Sequence, residues 1–210
     1  MIIAVYGASS RLGEQFIMAA ADAGHSLRLH YRAKPSEQLP ENATVIVGSL
    51  ADPTAVREVL RGADATVVLL GHKDDARVPY IAAATKLIVS TMKTLKQSRL
   101  VVVTSAMAGE STVGITMKIR ALFARRLAHD GMMEDRDEQE RYVRASHLAG
   151  WTVIKPGTLT DGSASDRARM DATVSIGAGS QVSRASLAKL LVAELGAPKF
   201  AQQAVFVAER

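Results

Sequence analysis

Gly7, Ser9, Ser10, Arg11 and Gly13 stand together in the opening run MIIAVYGASSRLGEQF, and residues of these types at this spacing suit the binding of a pyrophosphate. Gly7 permits a tight turn, and Gly13 lets a following helix approach the preceding strand closely. With a helix beginning at Leu12, unpaired N–H groups and the positive end of the helix dipole face outward and favour an anion. Ser10 occupies the place where the commoner spacing has a middle glycine, so the hydroxyls of Ser9 and Ser10 are expected to donate to the phosphate oxygens.

Cations follow where an adenosine ribose would lie. In a fold that opens this way, an acidic residue after the second strand binds the free 2′-hydroxyl of NAD, but this chain has Arg32 there, with Lys34 beside it. Together with Arg11 on the glycine turn they suit a 2′-phosphate, which a planar guanidinium matches well. The residues therefore point to NADP(H) in preference to NAD(H).

Further positions fall at the carboxyl ends of apolar runs, where open α/β sheets bind ligands. Ser49 and Leu50 are expected beside the adenine, Gly71 where the cofactor backbone passes, and His72 and Lys73 next to it. Thr104, Ser105, Pro156, Gly157 and Thr158 are expected at the nicotinamide end. Ser105 is the best-placed hydroxyl for proton delivery, with a simple loop cap as the alternative. Glu140, in DRDEQER, reads as a solvated charge. The five histidines show no metal-ligand spacing with carboxylates, so no metal site is expected.

The elements that must position these residues alternate regularly. Ile2–Tyr6 reads as a buried strand, Leu12, Phe16 and Ile17 begin a helical stripe, and Leu27–Tyr31 forms a second strand. Thr44–Val47, Ala65–Leu70, Leu100–Val103, Trp151–Ile154 and Ala204–Val207 follow as strands; Pro53–Leu60, Ile81–Leu95 and Ser186–Leu195 follow as helices, the last with Ser183 as N-cap. Continuous apolar strands separated by helices predict a Rossmann-like, doubly wound parallel α/β sheet with helices on both faces. An accessory helical segment at about 112–147, broken near Asp130 and Gly131, carries the stripe Ile115, Ile119, Leu122 and Phe123. A substrate loop is expected at about 158–182.

At 210 residues the chain is long enough for a single domain spanning 1–210 with a substantial core. It contains no cysteine, which removes thiolate chemistry and disulfides and fits a reducing, cytoplasmic setting. The first apolar run is too short for a leader peptide, and none approaches the length that spans a membrane. The net charge of +5 is scattered and aromatics make up 4% of the chain, so neither a nucleic acid nor a membrane is the expected partner.

Taken together, GASSRLG, VVLLGHKDD, VVVTSA, WTVIKPGTLTDG and VSRASLA resemble the atypical short-chain dehydrogenases/reductases, the group of NmrA-like proteins and biliverdin reductase B-type flavin reductases, over nearly the whole chain. The resemblance implies an NADP-binding single domain that reduces flavins, quinones or tetrapyrroles, or in the NmrA branch binds the dinucleotide as a sensor. It implies that Ser105 corresponds to an active-site serine, Lys73 to a basic residue beside the cofactor, and Glu140 to a helix residue facing the pocket. Several positions depart from the group: Ser10 replaces a glycine, Ser49 and Ser186 replace aspartates, and none of Tyr6, Tyr31, Tyr80 or Tyr142 has a lysine four residues on. Carbonyl reduction by a tyrosine acid is thus not expected. The reading is hydride transfer from NADPH to a planar conjugated small molecule. The alternatives are a redox sensor acting on a protein partner through Ile115–Ser146, and a non-redox isomerase or cyclase.

Overall fold

The computed structural model describes residues 1–71, 79–109, 131–174, 176–177 and 179–209. Within these, five helices and ten strands follow in the order β1 (Ile2–Tyr6), α1 (Arg11–Asp22), β2 (Ser26–Tyr31), β3 (Ala43–Val47), α2 (Pro53–Leu60), β4 (Ala65–Val68), α3 (Ile81–Thr94), β5 (Arg99–Val103), α4 (Met132–Arg144), β6 (Gly150–Pro156), β7 (Thr158–Thr160), β8 (Ala168–Asp171), β9 (Gln181–Ser183), α5 (Arg184–Gly196) and β10 (Gln203–Glu209). The main sheet has eight strands in the order β3-β2-β1-β4-β5-β6-β10-β8. All its pairings are parallel except that of β8 with β10. This is the Rossmann-like fold that the sequence predicts. The order reverses between β1 and β4, and that reversal opens a crevice at the carboxyl ends of the strands.

Alternate strand residues serve two cores. Ile3, Val5, Val101 and Val103 pack with Phe16 of α1 and Leu187 and Leu191 of α5, while Ala4, Tyr6, Leu100 and Val102 pack with Val56 of α2, Ile88 of α3 and Val143 of α4. With both faces covered, the strands need no polar side, which is why they read as continuous apolar runs. The edge strand β3 is less protected: no helix lies in the connection between β2 and β3, and Val47 is half exposed.

Two polar arrangements fix the helices. α3 has no side-chain cap of its own, and Asp135 of α4 supplies one, accepting from Ile81 N (2.9 Å) and Ala82 N (2.8 Å). At the amino ends of the strands, Arg99 donates to Gly150 O (2.8 Å), Thr152 Oγ1 (2.9 Å) and Glu194 Oε1 (3.1 Å). Glu194 also accepts from Lys199 N (3.0 Å) and Phe200 N (3.2 Å). This network ties α5 and the start of β10 to β5 and β6.

The segment expected as an irregular substrate loop contains three short strands. β7 and β9 pair in parallel beside the main sheet, and β8 joins its far edge. Of the accessory segment, residues 131–147 are described; Ile115, Ile119, Leu122, Phe123 and Asp130 lie outside the described residues, as do His72 and Lys73. Among the described residues no helix is long and apolar enough to cross a membrane.

Candidate functional site

The turn between β1 and α1 is as tight as its glycines imply. Gly7 has a φ of +92°, and a Cβ on it would sit 2.5 Å from Leu69 O; a Cβ on Gly13 would sit 2.2 Å from Gly7 O. Ser10 is the N-cap: its Oγ accepts from Gly13 N (2.9 Å) and donates to Gly7 O (2.8 Å). Its only hydroxyl proton is therefore committed within the turn, which corrects the expectation that it donates to phosphate. Ser9 is exposed, while the side chain of Leu12 is buried in the core. What remains for an anion is the Ser9 hydroxyl and the first backbone N–H groups of α1, those of Arg11 and Leu12, which have no carbonyl within the helix to reach.

Arg11 also departs from expectation. Its guanidinium lies 3.2 Å from Asp161 Oδ2, and Asp161 Oδ1 is 2.5 Å from Arg184 at the start of α5. The three line a cleft of about 250 Å³ together with Glu14, Gln15 and Gly162. Arg11 thus reaches toward the α5 side of the molecule. Arg32 and Lys34, just past β2, are exposed and make no ion pair among the described residues. Behind them His30 is buried against Tyr6, ring centroids 5.7 Å apart, and its Nε2 has no partner among the described residues. Burial pulls the His30 pKa below its usual value; a backbone bond at Gly48 opposes this and the Arg32 charge adds to it.

At the ends of β3 and β4 the expected adenine positions are shaped by the chain itself. Ser49 is exposed and its Oγ accepts from Ala51 N (3.1 Å), while Leu50 is half buried against the α2–α3 core. Gly71 accepts at its carbonyl from Tyr80 Oη (2.6 Å), and a Cβ built on it meets no described residue within 4 Å. Among the described residues nothing fills the space beside Gly71.

The β5 and β6 ends lie next to each other. Thr104 is buried, and its Oγ1 has no partner among the described residues. Ser105 is half buried; its Oγ accepts from Met107 N (3.2 Å) as a local cap, which leaves the hydroxyl proton to be donated elsewhere. Pro156 is buried and its carbonyl accepts from Ala106 N (3.2 Å). Gly157 is required by the protein itself, since a Cβ there would lie 2.5 Å from Ser180 O, the same carbonyl that accepts from Thr158 N (2.9 Å). Thr158 is exposed.

Three residues that the sequence does not single out for chemistry, or leaves open, underlie these strand ends. Arg136 of α4 donates to Leu70 O (2.7 Å), Val103 O (3.2 Å) and Gln139 Oε1 (3.1 Å), joining the ends of β4 and β5 from beneath. Burial pulls its pKa down to about 10, with Asp135 and then Tyr80 opposing the shift. Glu140 is neither solvated nor open to a pocket: its side chain is 1% exposed and pairs with Lys155 (2.8 Å), itself 1% exposed, and with Arg144 (2.8 Å). The Lys155 pKa is lowered by burial, with Glu140 pulling it back up. A lysine inside the apolar strand WTVIKP is the one signal in the sequence that a buried partner must exist.

The tyrosine hydroxyls are largely occupied. Tyr6 donates to Val56 O (2.8 Å), Tyr31 to Glu37 Oε1 (3.1 Å) and Tyr80 to Gly71 O (2.6 Å). Burial raises all three phenols, Tyr31 to about 12 with the help of Glu37.

A family model described as NAD(P)H-binding matches residues 7–198. Among solved structures, a short-chain dehydrogenase/reductase from Veillonella parvula in complex with NADP is similar, at 16% identity and a TM-score of 0.79, covering 99% of this chain and 94% of that one. ChuY from Escherichia coli O157:H7, described as an anaerobillin reductase, is 19% identical with a TM-score of 0.77, covering 100% and 97%. A candidate NADH-flavin reductase from Streptococcus pneumoniae is 20% identical with a TM-score of 0.76, covering all of both chains.

Proposed function

The chain belongs to the NAD(P)H-binding family, and from that premise we propose that it is an NADPH-dependent reductase passing hydride to a planar conjugated small molecule such as a flavin, a quinone or a tetrapyrrole. The observation that carries the reading is the state of the tyrosines: three of the four phenols donate to protein acceptors and are held protonated, and the fourth, Tyr142 of α4, packs against the α2–α3 core beside Lys86. Reduction of an isolated carbonyl needs a strong, well-placed acid for the developing alkoxide. A conjugated acceptor spreads that charge away from the atom that receives hydride, so water or a weak hydroxyl such as Ser105 suffices. The reductases among the structural neighbours support the same class of acceptor.

When bound, NADPH would supply the hydride, and the chain's own residues would bind and orient it. The α1 amides and Ser9 would hold the pyrophosphate, Arg32 and Lys34 the 2′-phosphate, and Gly71 would let the cofactor backbone pass. Thr104 Oγ1, buried without a partner among the described residues, offers a hydroxyl at the nicotinamide end. His72 and Lys73 keep their assignment beside the cofactor from sequence. Stopped-flow absorbance of NADPH mixed with a panel of flavins, quinones and biliverdin tests the proposal. Oxidation with at least one acceptor is expected. Tight NADPH binding without oxidation across the panel would make the protein a sensor, and product formation without coenzyme consumption would make it an isomerase.

Arg32→Ala tests the coenzyme assignment. Losing a guanidinium hydrogen-bonded to phosphate is expected to weaken NADPH by roughly 10- to 100-fold, from ~1.5–3 kcal/mol per charged hydrogen bond, with NADH affected far less. The KM values of both coenzymes in wild type and variant give the answer, and an unchanged ratio removes the 2′-phosphate from this site.

A further inference from the structure

Lys155 is fully buried on β6, yet the proposed mechanism does not use it. Its ammonium donates to Ala108 O and to Glu140 Oε2 (2.8 Å) and lies 5.7 Å from the centre of the Phe206 ring. Glu140 Oε1 accepts from Arg144 Nε (3.0 Å) and Nη2 (2.8 Å). Ala108 belongs to the loop that leaves β5 and carries Thr104 and Ser105. The same loop is held at Gly109, whose N–H donates to Asp137 Oδ1 (2.6 Å) and whose backbone has a φ of +63°. A Cβ on Gly109 would lie 2.6–2.7 Å from the Glu140 carboxylate, so the loop rests directly on that group. At its other end Ala106 N donates to Pro156 O (3.2 Å).

Stability alone does not account for this arrangement. Burying an ammonium and a carboxylate costs as much as their attraction returns, and a packed apolar pair of the same volume is often equally stable or more so. What an apolar pair cannot do is hold the Ala108 carbonyl at a fixed height above β6.

We propose that Lys155 and Glu140 are positioning residues for hydride transfer: the buried pair sets the Thr104–Gly109 loop, and through it the Ser105 hydroxyl, against the nicotinamide end of the bound coenzyme. The inference rests on the reductase reading for its kinetic arm only. The pair acts on the nicotinamide half of the site and leaves the adenosine half, at β1–β3, untouched.

The test uses the full chain with Lys155→Met, Lys155→Arg and Glu140→Gln. Binding of NADPH and of 2′-phospho-ADP-ribose, which lacks nicotinamide, is measured by calorimetry; turnover is measured with flavin mononucleotide or with the acceptor the panel identifies. In Lys155→Met, kcat is expected to fall roughly 10- to 100-fold, the range that an ångström-scale misplacement costs. The preference for NADPH over 2′-phospho-ADP-ribose should shrink while affinity for the latter stays within about twofold. Lys155→Arg, which keeps a donor for Ala108 and Glu140, should recover most of kcat. If Lys155→Met does not fold, Glu140→Gln carries the same comparison. Unchanged kcat and an unchanged preference would overturn the proposal, as would equal losses for both ligands. If the wild type oxidises no NADPH, the reductase reading fails, and the ligand preference alone decides whether the pair positions the loop.

Discussion

Replacing Gly13 with alanine is expected to abolish measurable coenzyme binding near neutral pH and to lower the melting temperature by roughly 6–12 °C. The new Cβ would stand 2.2 Å from Gly7 O and 2.6 Å from Ala8 O, both backbone atoms of one turn, so no rotamer change relieves the collision. Either the turn opens or α1 moves away from β1. Both break the Ser10 bridge, in which one hydroxyl holds Gly13 N at 2.9 Å and Gly7 O at 2.8 Å. Lost packing and capping together amount to about 3 kcal/mol, which in a domain of this size corresponds to that shift in melting. The α1 amides would also be misaimed, and losing charged hydrogen bonds of ~1.5–3 kcal/mol each weakens a phosphate ligand by two or more orders of magnitude. Thermal denaturation and NADPH calorimetry on the variant check both parts. A variant that melts and binds like the wild type would show that the turn is not the anion site.

Arg136→Met is expected to have the second-largest effect. The guanidinium is the donor that Leu70 O, Val103 O and Gln139 Oε1 share, and Gln139 in turn donates to Thr85 Oγ1 on α3 (3.0 Å). Methionine fills the volume but leaves these acceptors without that donor, at about 1–3 kcal/mol for each one that stays dry. A loss near ~3 kcal/mol and a fall of roughly 6–12 °C in melting temperature follow. Coenzyme affinity should drop as well, because the ends of β4 and β5 are no longer tied together beneath Gly71 and Thr104. The Arg136→Lys variant keeps the charge but has no planar fork to span two strands, so it should recover only part of the stability. With a pKa near 10 the wild-type group stays charged between about pH 6 and 8, so this contribution should not titrate there. Equal melting of wild type and Arg136→Met across that range would remove the tie.

The sequence makes some of this visible and hides the rest for physical reasons. Asp52 and Pro53 mark the start of α2 and Ser183 the start of α5, because caps and N1 prolines are local chemistry. The fourth strand ends at Val68, two residues before the apolar run does, since Leu69 and Leu70 stay buried while the chain already turns. β7, β8 and β9 are three or four residues long and partly exposed, too short for alternation to register; long-range pairing holds them. Arg11 reads from sequence as a phosphate ligand, and its pairing with Asp161, 150 positions away, is a long-range contact that no local pattern shows. Glu140 and Arg136 sit in a stretch as polar as any solvated helix, and only Lys155 within an apolar strand hints that one face of that helix is buried.

The Arg99–Glu194–Thr152 lock sits at the amino ends of the strands, on the far side of the sheet from the crevice. Anchorage and chemistry therefore occupy opposite rims of one scaffold, joined by strands too short to flex between them. Residues around the crevice can be exchanged, lengthened or reshaped to admit a different acceptor while the opposite rim continues to hold the layers in register. Laboratory evolution of new acceptor preferences should tolerate changes in β7–β9 far better than changes at Arg99 or Glu194.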